Sequence, residues 1–372
     1  MRIGVLREIK DNEYRVGLVP SSVHELVLHG HQVVVEQTAG EGVGCPDEAY
    51  RAAGASIAAT AEAVFEQAEM LVKVKEPQAK ERQHLRPGQV LFTYLHLAPD
   101  PLQTKELIQS GAVCIGYETV TSPRGGLPLL APMSEVAGRM AIQAGAHCLE
   151  EAHGGMGILL GGVPGVEPAK VVILGAGVVG TNAAEIALGF GADVVVLDRS
   201  TEVLASLWRQ FGARLKTVFS TRHAVEQHLL NADLVIGAVL IPGAASPKLV
   251  SAELIRRMKA GAVVVDVSID QGGCFETSRP TTHASPTYVV DGVVHYCVAN
   301  MPGGVPRTST AALNNATLPH VLTLANKGYR AAMLDDPHLR AGLNVYQSEV
   351  TCKAVADALG YPYRDPLEVL QR

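Results

Sequence analysis

The 372-residue chain has no Cys-x-x-Cys pair, and its six cysteines (Cys45, Cys114, Cys148, Cys274, Cys297, Cys352) are scattered. That is poor material for a zinc site or a disulfide framework, and it fits a reducing compartment. No run of five or more basic residues occurs, and Lys+Arg 31 against Asp+Glu 37 leaves a formal net charge of −6. An acidic balance without a basic patch argues against a nucleic-acid partner. No uninterrupted apolar run approaches the ~20 residues of a membrane span. Charge comes too early, at Arg2 and Arg7, for a signal peptide. A cytoplasmic protein with no membrane partner is expected. There is no Gly-x-Ser-x-Gly elbow and no His-Glu-x-x-His pair, so esterase and zincin chemistry lose their usual support. The histidines show no metal-ligand spacing, and no metal is expected.

What is present is core-forming material. Hydrophobic residues make up 47% and charged residues 18%, the balance of a folded chain. A length of 372 residues exceeds the ~250–300 at which a single core stops growing, so two domains are expected. Strands are read at 2–7, 31–37, 70–75, 89–94 and 112–117, and helices at 20–29, 46–53 and 101–110. A second series has strands at 170–174, 193–197, 233–238, 262–267 and 293–299, with a small-residue helix face at 178–188. Strands spaced by helices form parallel sheets covered on both faces. The expected fold class is α/β, with two doubly wound Rossmann-like domains joined by long helices. One such helix is expected at 134–151, with Ser134 near its start. The other is expected at 309–326, interrupted or kinked at Pro319. The segment 329–372 reads as mostly helical and charged, returning to the first domain.

Gly175-Ala176-Gly177-Val178-Val179-Gly180 follows the strand at 170–174 and opens a helix. The first glycine permits a tight turn, the second a close approach of pyrophosphate, the third close helix–strand packing. The helix N-terminus adds free N–H groups and partial positive charge. Asp198 lies 21 residues beyond Gly177 (198 − 177), near the ~20 expected of the acid that binds the adenosine ribose. A carboxylate there accepts from both ribose hydroxyls and repels a 2′-phosphate, which favours NAD over NADP. The neighbouring Arg199 is either a receiver for that phosphate or a solvated surface charge.

Other polar candidates follow strand ends, where open α/β sheets place ligands. They are Arg15, Lys73, Lys75, His96, Asp270, Asn300 and Met301. Each has a plainer reading. Arg15 could be a surface arginine, Lys73 or Lys75 an edge-strand charge, His96 a structural histidine and Asp270 a turn cap. Lys73, given no contact with substrate, serves as a control for Lys75.

These residues sit in a set of blocks. The blocks are Lys73-Val74-Lys75-Glu76-Pro77, Tyr94-Leu95-His96-Leu97-Ala98, and 129–139 with Pro132-Met133-Ser134-Glu135 at its centre. Further blocks are Gly161-Gly162-Val163-Pro164-Gly165-Val166, Ile269-Asp270-Gln271-Gly272-Gly273 and Asn300-Met301-Pro302-Gly303-Gly304. With them the chain closely resembles the bacterial alanine dehydrogenases, grouped with the N-terminal domain of the nicotinamide nucleotide transhydrogenase α-subunit. The resemblance implies that Arg15 and Lys75 hold a substrate carboxylate. His96 is then the acid/base group, Asp270 the second catalytic group, and Met133 and Asn300 line the substrate pocket. Ser134, Asp198, Ser220, Val239, Leu240, Val267, Asp270 and Met301 join Gly175, Gly177, Val178, Val179 and Gly180 around NAD. It implies a homohexamer. It also implies a substrate domain of residues 1–133 and 309–372, with the NAD-binding domain and connecting helix at 134–308.

The reaction so implied converts L-alanine to pyruvate and ammonium with NAD. A histidine that titrates near ~6.5 suits its proton transfers. Two alternatives stand beside it. A saccharopine-type dehydrogenase needs polar room for a long side chain, whereas Met133, Tyr94, Leu129 and Leu130 are apolar or aromatic. A transhydrogenase subunit binds NAD(H) without an amino acid and has no need of Arg15, Lys75, His96 and Asp270 together.

Overall fold

A computed structural model of the chain describes residues 1–239 and 246–372. The strands run β1 (Arg2–Val5), β2 (Gln32–Glu36), β3 (Ser56–Ala58), β4 (Met70–Val72), β5 (Val90–Thr93), β6 (Val113–Gly116), β7 (Lys170–Leu174) and β8 (Asp193–Asp198). They continue as β9 (Lys216–Phe219), β10 (Leu234–Gly237), β11 (Val263–Asp266), β12 (Thr287–Val290), β13 (Val293–Tyr296), β14 (Leu343–Tyr346) and β15 (Glu349–Val350). The chain divides into two compact units, Met1–Met133 with Val305–Arg372, and Ser134–Gly304. The fold is mixed α/β with a parallel-dominated sheet in each unit.

In the first unit the sheet order is β15-β14-β6-β5-β4-β1-β2-β3, parallel from β6 to β3. Alternation along the strands sorts the core onto the two faces. Ile3, Val5, Val33, Val35 and Phe92 join one cluster, Val34, Leu71, Leu91 and Cys114 the other. Burial on both faces is what a parallel sheet with crossover helices requires. Asp100 starts the helix Pro101–Ser110 by accepting from the Gln103 amide at 3.0 Å, and Gly111, at φ 68°, ends it.

The second unit repeats the plan in the order β12-β13-β11-β10-β7-β8-β9, with only β12 antiparallel among its described pairs. In both sheets the strand order reverses beside the first strand of the unit, between β1 and β4 and between β7 and β10. Those switch points open a crevice at the strand C-termini.

Several expectations change. Residues 329–372 are mostly helical as expected, but they also supply two strands the sequence reading lacked, β14 pairing antiparallel with β6 and β15 with β14. The helix expected at 309–326 is Pro306–Lys327 and runs through Pro319 as one element. It starts earlier because Pro306 suits the first helical position. At Pro319 the helix forgoes one N–H donor, and the Thr323 hydroxyl donates to the Pro319 carbonyl at 2.8 Å. The helix expected at 134–151 is Ala131–Cys148, so Ser134 lies within its first turn. The strands 70–75, 89–94 and 112–117 are shorter, and the polar residues at their ends belong to loops.

Candidate active site

In the first unit the polar candidates gather where adjacent parallel strands end. Arg15 is buried, and its guanidinium forks onto Glu13, with Nε donating to Oε1 at 2.7 Å and Nη2 to Oε2 at 2.6 Å. Its Nη1 meets the sulfur of Met133 at 3.0 Å. The plain surface reading of Arg15 is therefore wrong. Burial alone would lower its pKa, but the bond to Glu13 outweighs that and keeps the cation charged. Arg15 also faces Tyr94 electrostatically. Burial pushes the Tyr94 hydroxyl above its ordinary range despite that cation, and the hydroxyl donates to the Leu129 carbonyl at 2.5 Å.

His96 follows β5 and is exposed, with its ring stacked near Tyr94 (centroids 5.8 Å apart, planes 8° apart). Its φ is 48°, a left-handed conformation that non-glycine residues seldom adopt. Glu118, just beyond β6, holds it there. One carboxylate accepts from the His96 amide at 2.6 Å and the Leu95 amide at 3.1 Å. Glu118 thus fixes the backbone that carries the imidazole, and Tyr94 lies parallel to the ring.

Lys73 and Lys75 part company. β4 lies between β1 and β5, so the edge-strand reading fails for both. Lys73 is fully buried, donating to Glu8 at 3.1 Å and Glu81 at 2.6 Å. Burial works against its charge, and the two carboxylates outweigh that, raising its pKa. Lys75 is half-buried. Its amide donates to Glu8 at 3.3 Å, and its carbonyl accepts from the Thr93 hydroxyl at 2.9 Å. The expectation that Lys73 is a neutral control is therefore corrected, since its partner Glu8 also ties down the backbone of Lys75.

In the second unit the glycine loop follows β7. Gly175 has φ 99°, and a Cβ there would lie 2.6 Å from the Ala238 carbonyl oxygen. A Cβ on Gly180 would lie 1.9 Å from the Gly175 carbonyl oxygen, so this glycine lets the helix Val178–Phe190 sit against its strand. A Cβ on Gly177 would meet nothing within 4 Å and would fill the space over the loop. That cradle fits a pyrophosphate. Asp198 ends β8, accepting from the Ala176 amide at 2.7 Å through Oδ2 and the Ser200 amide at 2.8 Å through Oδ1. A carboxylate has about four acceptor positions, so ribose hydroxyls can be added to these two bonds.

The remaining candidates of this unit also follow strand ends. Ser220 donates its amide to the Asp198 carbonyl at 2.9 Å. The Val239 carbonyl accepts from the Ser246 and Ser268 hydroxyls at 3.0 and 2.8 Å. Val267 opens the 3-10 turn Val267–Gln271, which carries the exposed Asp270. Asp266 caps this turn from a fully buried position. It accepts from the amides of Ser268 (3.1 Å) and Cys274 (2.9 Å) and the Ser278 hydroxyl (2.6 Å). Burial pushes its pKa up, against those bonds. Asn300, at φ 58°, and the buried Met301 follow β13. Ser134 is half-buried on the helix Ala131–Cys148. Leu240 lies outside the described residues.

Sequence reasoning missed Glu8, Glu13, Glu118 and Asp266, the carboxylates that hold these loops. A signal existed, because each follows or ends a strand of a parallel sheet, the edge where ligands bind.

Residues 4–137 match the alanine dehydrogenase/PNT N-terminal domain, and residues 141–353 match its C-terminal domain. The alanine dehydrogenase of Halomonas elongata is 60% identical over 363 residues, 98% of each chain. That of Mycobacterium tuberculosis is 52% identical over 370 residues, covering both chains fully. A solved L-alanine dehydrogenase superposes with a TM-score of 0.94 at 51% identity, covering 97% of this chain and 99% of the other. A transhydrogenase from Sinorhizobium meliloti superposes at 0.80 with 26% identity, covering 95% of this chain and 100% of the other. The chain belongs to the alanine dehydrogenase/PNT family.

Proposed function

We propose that the chain is an L-alanine dehydrogenase. The reaction is L-alanine + NAD⁺ + water to pyruvate + ammonium + NADH + H⁺, run in either direction. The observation that carries this is the full-length likeness to alanine dehydrogenases, at 60% and 52% identity. The buried, charged Arg15 supports it, because a guanidinium held in place by Glu13 beyond a strand end suits a carboxylate substrate. NAD, when bound, supplies the hydride acceptor.

The chain's own residues do the rest. Arg15 and Lys75 bind the substrate carboxylate and fix its orientation. Met133 and Asn300 line the pocket, and the buried Met133 and Tyr94 leave little polar room for a long side chain. His96 takes a proton from the water that adds to the α-carbon, and Asp270 offsets positive charge on the substrate nitrogen. Asp198 reads the ribose and favours NAD over NADP. Ser134, Ser220, Val239, Leu240, Val267 and Met301 surround the same cofactor. The working assembly is a homohexamer in the cytoplasm.

The test is NADH absorbance with L-alanine, L-serine, glycine and L-lysine offered in turn. L-alanine should give the highest kcat/KM. A preference for L-lysine would point to saccharopine-type chemistry, and NADH formation with none of them to a transhydrogenase-like binding role.

A further inference from the structure

The helix Ala131–Cys148 carries His147 in its last turn, and a 3-10 turn, Glu151–His153, follows two residues later. Between them stands Glu150. Side chains spaced three apart are neighbours on a helix face, and the turn that follows keeps His153 beside the other two. Among the described residues, His147, Glu150 and His153 form the one group of three such side chains with metal-ligating atoms all within 4.8 Å of one another.

The distances inside the group are informative. Nδ1 of His147 lies 3.5 Å from Oε1 of Glu150, and Nε2 of His153 lies 3.7 Å from Oε2. These are too long for good hydrogen bonds, which fall at about 2.7–3.2 Å. They are close to the edge of a tetrahedron of nitrogen and oxygen ligands around zinc, about 3.4 Å for bonds of ~2.0–2.2 Å. The imidazole centroids are only 3.8 Å apart. Two imidazoles and one carboxylate make a nitrogen–oxygen donor set of the kind zinc takes.

The backbone holds this geometry. The Glu150 amide donates to the His147 carbonyl at 3.2 Å, and the His153 amide to the Glu150 carbonyl at 3.0 Å. His147 and His153 also line an open cavity of about 510 Å³, with Tyr296 and Thr287 on its wall. That space leaves room for water to complete the coordination. Neither histidine belongs to the candidate active site.

We propose that His147, Glu150 and His153 form a surface site for a divalent transition-metal ion of the zinc class, pinning the end of the helix to the turn that follows it. Imidazole nitrogens with a carboxylate select such ions over magnesium or calcium, which take oxygen ligands.

The experiment is calorimetric titration of the chelator-treated full-length protein with ZnCl2, alongside the His147→Ala/His153→Ala double variant and Glu150→Gln. All three side chains are exposed, so the variants should fold and keep their basal NADH-forming rate. The native protein should bind one zinc per chain with a Zn²⁺-dependent rise in Tm. The double variant should bind it more than about 100-fold more weakly, beyond the loss seen on removing an outer partner of a metal ligand, and show no rise. Glu150→Gln should weaken binding by a smaller factor. No uptake by the native protein, or the same uptake and Tm rise in the double variant, would overturn the assignment.

Discussion

Lys73 and Lys75 lie two residues apart in the chain and differ in every physical respect. Lys73 is sealed between Glu8 and Glu81. Lys73→Ala leaves two buried carboxylates without their cation, a change that costs about 3–5 kcal/mol. Urea unfolding should show that loss as a lower midpoint, and a loss below about 1 kcal/mol would mean that water reaches the pair. Asp198 ties down the Ala176 and Ser200 amides with the same carboxylate that we propose receives the ribose. The native protein should use NAD with a much higher kcat/KM than NADP. Asp198→Ala should narrow that preference and weaken binding of both cofactors, since the glycine loop loses an anchor. Relaxed preference with unchanged NAD affinity would show that the loop stands without it.

At the scale of elements, Gly180 lets the helix Val178–Phe190 sit close against the glycine loop that follows β7. Gly180→Ala must push the helix Val178–Phe190 off its strand, because the added methyl would lie 1.9 Å from a carbonyl oxygen. NADH affinity should fall at least about tenfold, equal to ~1.4 kcal/mol, and fluorescence titration measures it. On β13, His295 is buried, with Nδ1–H donating to the Val293 carbonyl at 2.9 Å and Nε2 accepting from the Thr277 hydroxyl at 2.7 Å. Burial lowers its pKa. The folded protein therefore resists a proton that the unfolded chain takes up near pH ~6.5, so this stability is present above that pH and lost as pH falls through it. The urea midpoint should drop between about pH 7 and 5, and less steeply in His295→Gln. Equal slopes would remove His295 from the account. The sequence carried the central strands clearly, because Val-rich runs buried on both faces leave little ambiguity. It did not carry β14 and β15. Leu343–Tyr346 is a short apolar run amid charged, helix-favouring residues, and its pairing with β6 depends on contacts distant in sequence.

At the scale of the molecule, both sheets share one strand order around their switch points, and every candidate on a strand end lies at a C-terminal edge. That edge is why Arg15, Lys75, His96, Asp198 and Asp270 could be picked out from the sequence alone. The carboxylates behind them stand at the same edges, but the bonds that Glu118 accepts from the His96 amide and Asp266 from the Cys274 amide leave no spacing pattern to mark them out. Light scattering at micromolar concentration should give a hexamer mass, and a monomer mass would defeat that part of the proposal. The central proposal is that Arg15 and Lys75, at the first unit's strand ends, hold the amino acid's carboxylate, while the nucleotide binds at the second unit's strand ends. Arg15→Ala tests it most directly when pyruvate turnover and NADH affinity are measured on the same preparation. Turnover should fall by about 100-fold or more, as for loss of a charge-assisted clamp, while the Kd for NADH stays within a few-fold of native. Loss of NADH affinity in step with turnover, or turnover near the native rate, would contradict it.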